Sequence, residues 1–259
     1  MAFILADRIM MAEMKKRGSR ARSRWLQCTV SALTLLCCLA TPAAHAQSDP
    51  STCGPLSNGN NGPFDYRVER GPKLKIVEEF HFGEQVEALI SGQTGAIGQD
   101  LDYVLRAFPN HHRALAAMMR LGARSKSAQA PRATYTVECY FERALRFKAD
   151  DTTVRMIYAT FLNDNKRGSD AVAQLDRVIS LSADNEYTQY NVGLLFAEFG
   201  LYDRALMQAH KALAMGFTRT DLRQRLEKAG KWVDPAPEAA SSTAAAVPDS
   251  AAASAPSGQ

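Results

Sequence analysis

Long apolar runs are nearly absent from this 259-residue sequence. The densest, Trp25 to Ala40, is interrupted by Gln27, Thr29, Ser31 and Thr34. A bilayer-spanning helix needs about 20 predominantly apolar residues, so this run falls short of one. Cysteine is scarce too: of five, Cys28, Cys37 and Cys38 lie inside that same run, leaving Cys53 and Cys139 beyond it. Cys37, Cys38 and Cys53 lack the apolar core with small residues directly before the cysteine that a lipid anchor requires. Chemical motifs are missing as well. There is no Gly-x-Ser-x-Gly, no Rossmann or P-loop signature, and the glycines between Asn58 and Pro63 have neither a preceding strand nor a following Lys-Ser/Thr pair, so they read as turns. His111 and His112 are adjacent, which on a helix sets them about 100° apart rather than on one face, while His81 and His210 stand alone. Glu78-Glu79 and Asp150-Asp151 read as solvated segment ends. No catalytic residue, metal, cofactor or small-molecule substrate is expected, and the chain reads as non-enzymatic.

What is present begins with a basic run, Lys15, Lys16, Arg17, Arg20, Arg22 and Arg24, then the short apolar stretch, then Ala44-His45-Ala46. That order is a secretory signal peptide over residues 1–46, cut after Ala46; an uncleaved anchor is the alternative. A start at Met14 gives the compact beginning Met-Lys-Lys-Arg. The segment holds seven of the 31 basic and two of the 27 acidic residues, so the remainder carries 24 against 25 and the net charge falls from +4 to −1. The basic excess belongs to the export signal, and a nucleic-acid partner is not expected. Export implies an oxidising compartment, periplasmic or secreted, with no stable membrane insertion after cleavage. Cys53 and Cys139 are then either a disulfide or two free thiols, because pairing depends on a separation that no sequence gives.

Between Thr152 and Arg219 the sequence repeats. Rows of 34 residues starting at Thr152 and Glu186 place Tyr158 over Val192, Ala159 over Gly193, Leu162 over Phe196, Ala171 over Ala205 and Val178 over Ala212. Two copies of one helical hairpin give that register. Upstream, the period continues through a row 112–151 if six residues are inserted at Ser125 to Pro131, a loop expected to protrude, with Asn110 capping the first helix and Pro131 opening the second. A row 78–111 is degenerate: Leu74, Ile76, Phe80 and Phe82 share one parity and predict an extended segment from Lys73 to Phe82, followed by a short helix stopped by Gly92. Residues 47–77 form an arm rich in Gly, Pro and Asn, with Cys53, Phe64 and Tyr66 as its anchors. Residues 218–233 form a capping helix, and 234–259 an Ala/Ser/Pro tail with too few large apolar groups to order.

A period of 34 with small residues at row positions 8, 20 and 27 resembles the tetratricopeptide repeat (TPR), and the resemblance covers Glu78 to Lys231. More narrowly, Cys53-Gly54-Pro55-Leu56, Gly62-Pro63-Phe64-Asp65-Tyr66 and the run from Leu101 to Leu115 are similar to a family of exported bacterial TPR proteins without an assigned activity. The resemblance implies an all-α solenoid of about four hairpins plus a cap, in the bacterial periplasm, with a protein or peptide as partner. It also implies a concave groove lined by Arg113, Arg120 and Arg124, by Met156, Thr160, Asn163 and Asp164, and by Tyr187, Tyr190 and Glu198. The arginines as forks for carboxylates and the tyrosines as apolar shelves fit an extended peptide. The chain then reads as a non-catalytic scaffold or adaptor in a cell-envelope complex. The alternative is an accessory subunit of an envelope transport or polymer-export machine that makes contact through the convex face or the 125–131 loop.

Overall fold

A computed structural model describes residues 53–56 and 62–235. Among them are ten α-helices and no strand, so the fold is all-α. The expected signal peptide and most of the expected tail lie outside the described residues. The described chain divides into two compact units between Ala183 and Asp184. None of its helices is long and apolar enough to cross a membrane.

The first unit holds the arm and seven helices: α1 Pro72–His81, α2 Glu84–Glu87, α3 Ile97–Ala107, α4 His112–Ser125, α5 Val137–Phe147, α6 Thr152–Asp164 and α7 Gly168–Leu181. The second holds α8 Glu186–Glu198, α9 Tyr202–Ala214 and α10 Asp221–Lys228. Local chemistry sets the boundaries. The side chains of His111, Thr136, Asp151 and Asn185 each accept from a backbone amide three residues on, satisfying donors that the first turn leaves free. The helix pairs α6–α7 and α8–α9 start at residues 34 apart, and so do their caps, Asp151 and Asn185. Between the paired helices the chain reverses through left-handed residues, Lys166 in one and Gly200 in the other, again at the same offset. All five residue pairs that the 34-residue rows align are buried. In the second unit, a Cβ on Gly193 would stand 2.5 Å from Leu222 Cδ2 and 3.1 Å from Gln208 Cβ, so α8 comes close to both α9 and α10 because that side chain is missing.

Four local expectations are corrected. Lys73 to Phe82 is not extended: Pro72 opens α1, which buries Leu74 and Val77 at helical spacing and leaves Ile76 and Phe80 exposed. Val77, which breaks the parity, is the residue that reports the true period. The arm boundary set between residues 77 and 78 consequently falls inside α1. Asn110 does not cap α4; His111 does. Pro131 does not open α5, which starts six residues later behind Thr136. The loop before it is exposed from Lys126 to Gln129, while at its end Ala130 is buried and the Pro131 carbonyl lies 2.1 Å from where a Cβ on Gly98 would be.

Candidate functional site

Two of the segments on which the narrow resemblance rests, Gly62 to Tyr66 and the run from Leu101 to Leu115, meet in the first unit around Asn110. Asn110 is fully buried and uses both ends of its amide. Its Oδ1 accepts from the Tyr66 amide at 2.9 Å, and its Nδ2 donates to Asp65 at 2.7 Å and to Asp151 at 2.9 Å. Asp151, also buried, caps α6 through the Val154 amide and lies 3.0 Å from His112 Nε2. Arg67 closes the ring with a forked contact to Asp65 and a pair to Asp150 at 2.8 Å. One polar node therefore ties the arm to the start of α4 and the start of α6.

Charges in the node are fixed by these contacts. Burial alone would push Asp65 and Asp151 toward the neutral acid. The hydrogen bonds from Arg67 and Asn110 to Asp65, and from His112 and Asn110 to Asp151, outweigh it and hold both carboxyls below the usual range. His111 is governed by the opposite balance. Its Nδ1 accepts from the Ala114 amide at 3.1 Å, which places the ring proton on Nε2, 3.0 Å from Glu78. Burial lowers its pKa more than Glu78 raises it. A histidine held neutral in the fold but free to protonate when unfolded stabilises above its unfolded pKa of about 6.5, and that contribution is lost as pH falls through this value. The protein is expected to lose stability as pH falls from 7.5 to 5.5. His111→Asn, which keeps a capping oxygen, should flatten that slope in urea titrations, and an unchanged slope would assign the acid sensitivity elsewhere.

Aromatic packing completes the arm's attachment. Tyr66 stacks on His111 at 4.0 Å, and Phe64 meets Phe108 at 5.4 Å while its amide donates to the Ala107 carbonyl. Further up the arm, Cys53 and Cys139 are joined by a disulfide with Cα atoms 5.2 Å apart. Beside it the buried Arg143 guanidinium donates to the Cys53 carbonyl at 2.9 Å and to the Pro55 carbonyl at 2.7 Å, and Arg146 donates to Gly54. Glu142 brings a third potential ligand atom within 4.8 Å of the two sulfurs, but the sulfurs are bonded to each other and offer no thiolate.

The expected groove residues fall into three kinds. Arg113, Arg120 and Arg124 all turn toward their own chain: Arg113 forks onto the Glu87 carboxylate, Arg120 donates to the Glu87 carbonyl at 2.8 Å and Arg124 to the Leu89 carbonyl at 2.6 Å. The basic row thus caps the end of α2. Met156 and Thr160 are buried in the first unit and Tyr190 in the second, where its hydroxyl bonds Asp221 at 2.9 Å. Asn163 and Glu198 are half-buried; Asp164 is exposed, and Tyr187 is 49% exposed beside Phe217. No family model matches this chain, and no curated protein or solved structure is found to be similar to it. The polar node was missed by reading along the sequence. Its one signal was that Asp65 and Asn110 belong to the segments the resemblance singles out.

Next to the node, the arm and the end of α5 enclose an open cavity of about 610 Å³. Phe64, Val68, Phe147, Arg70 and Lys148 contribute to its walls. The node fixes the arm's course, and with it the shape of this cavity.

Proposed function

We propose that this chain is an exported, non-catalytic scaffold of TPR-like hairpins that holds a protein or peptide segment within a cell-envelope complex. The observation that carries it is the register of α6–α7 with α8–α9: helix starts, N-caps, left-handed turn residues and buried small residues all recur at an offset of 34. Repeats built that way stack helices to bury one continuous core and leave an extended surface for partners. The three arginines are occupied in cis by α2, so in the second unit the partner surface is drawn toward Tyr187, which is 49% exposed. A photoreactive residue at Tyr187 is expected to trap one discrete polypeptide in native envelopes, and the same residue at the partly exposed Arg225 is expected to trap none.

A further inference from the structure

Histidines 81, 111 and 112 stand where the arm and α1 meet the rest of the first unit, and one of them, His111, is fully buried. Its ring serves three elements at once. The Nδ1 lone pair accepts from the Ala114 amide at 3.1 Å and so caps α4. Nε2–H donates to Glu78 of α1 at 3.0 Å, the ring face stacks on Tyr66 of the arm at 4.0 Å, and Phe82 meets it edge-on at 4.8 Å. The neutral ring fits this seat and the imidazolium does not. A second proton would sit on Nδ1, one N–H facing another, and α4 would lose its capping acceptor. Neither nearby acid is free to offset the added charge. Glu78 Oε1 already lies 3.7 Å from the Arg113 guanidinium, which also forks onto Glu87 of α2. His112, the other titratable neighbour on the same segment, faces Asp151 instead.

We infer that His111 is a proton-operated latch: one proton taken up at Nδ1 releases the arm and α1 from the start of α4 while α5 to α7 stay folded. Burial holds the His111 pKa below its unfolded value of about 6.5, so the seated state has its full stability above that value and loses it as the pH falls below. The carboxylates around the seat do not supply this response. Against the pull of burial, hydrogen bonds hold Asp65 and Asp151 below the usual carboxylate range, and the bond from His111 does the same for Glu78, so all three keep their charge at pH 5.5. Release uncovers Tyr66, Leu74, Val77 and Phe82, none of them more than 8% exposed in the seated state. The Cys53–Cys139 bond keeps the start of the arm on α5, so the segment seats again when the pH rises. This open state belongs to the first unit alone and is independent of the scaffold reading.

The test is native-state hydrogen exchange on the full chain with its disulfide intact, at pH 7.5 and pH 5.5, each rate normalised to the intrinsic exchange of a free amide at that pH. The Tyr66 and Phe82 amides, which donate to Asn110 Oδ1 and to the Glu78 carbonyl, report on the arm and on the end of α1. Their protection is expected to fall by up to about tenfold between the two pH values, the ceiling for one proton, and to lie below that of Ala159 in α6 and Val178 in α7 at both. His111→Asn keeps a capping oxygen and should remove the pH dependence, whatever it does to the protection at pH 7.5. Glu78→Gln keeps an acceptor for Nε2–H and should retain the dependence. A change below about twofold in the unsubstituted chain, or the same fall in His111→Asn, would overturn the latch. Equal protection of Tyr66, Phe82, Ala159 and Val178 at both pH values would also overturn it, because the arm would then open only when the whole unit unfolds. Loss of the dependence in Glu78→Gln would overturn the assignment to His111 and move the response to the carboxylate.

Discussion

Opening the Cys53–Cys139 disulfide, by reduction or by Cys53→Ser with Cys139→Ser, is expected to lower the melting temperature by about 10 °C. The bond closes a long loop, with 86 residues separating the two cysteines. In the chain-entropy account, releasing such a loop costs roughly 4–5 kcal/mol, and measured losses for native disulfides span about 2–5 kcal/mol. A second consequence follows from what surrounds the bond. Arg143 is 1% exposed, and its guanidinium donates to the carbonyls of residues 53, 54 and 55. If the arm leaves, a buried guanidinium loses the oxygens that satisfy it, a cost on top of the loop entropy. Calorimetry with and without reductant checks the shift, and thiol titration of the denatured chain from Gln47 checks its cause. A shift below about 1 °C would mean that the arm contributes nothing to the first unit's stability.

The second large effect is expected at Asn110. Asn110→Leu keeps the branched four-heavy-atom side chain but removes one acceptor and two donors from a fully buried site. The Tyr66 amide is left unsatisfied, and Asp65 and Asp151 each lose a donor while remaining ionised. A buried group stripped of its partner costs about 1–3 kcal/mol, more when charged, so a total of about 3–5 kcal/mol is expected in urea unfolding with the disulfide intact. Because Asn110 and Asp151 share one bond, Asn110→Ala and Asp151→Ala should be less than additive in a double-mutant cycle. A loss under about 1 kcal/mol, or strict additivity, would show that the node is not a unit.

The contrast between these residues and the hairpins explains what the sequence disclosed. A helix pair that packs at a fixed distance needs a small residue at the closest approach, and the requirement returns at every repeat. Ala159 with Gly193 and Ala171 with Ala205 are therefore visible as a period without any structure. Loops and first turns carry no such repetition. Asn110 looked like a cap because it precedes a helix by two residues, yet His111 fills that role and frees Asn110 for the arm. The basic row of α4 was legible as a row, but that its forks close on Glu87 and Leu89 depends on where α2 folds back. In α1 the parity of four apolar residues masked a helical pattern, since two of the four, Ile76 and Phe80, lie on the exposed side. The cavity beside the arm combines residues from 63–71 with Phe147 and Lys148, a juxtaposition that no local pattern encodes.

The central claim is that the repeated hairpins serve a polypeptide partner, and crosslinking from Tyr187 in native envelopes addresses it most directly. Tyr187 is exposed, lies on the first helix of the second regular hairpin and is not required by the core. The account predicts one adduct of defined mass from position 187, suppressed by excess unlabelled chain and missing from the Arg225 control. No adduct at 187, or the same set of adducts from both positions, would contradict it.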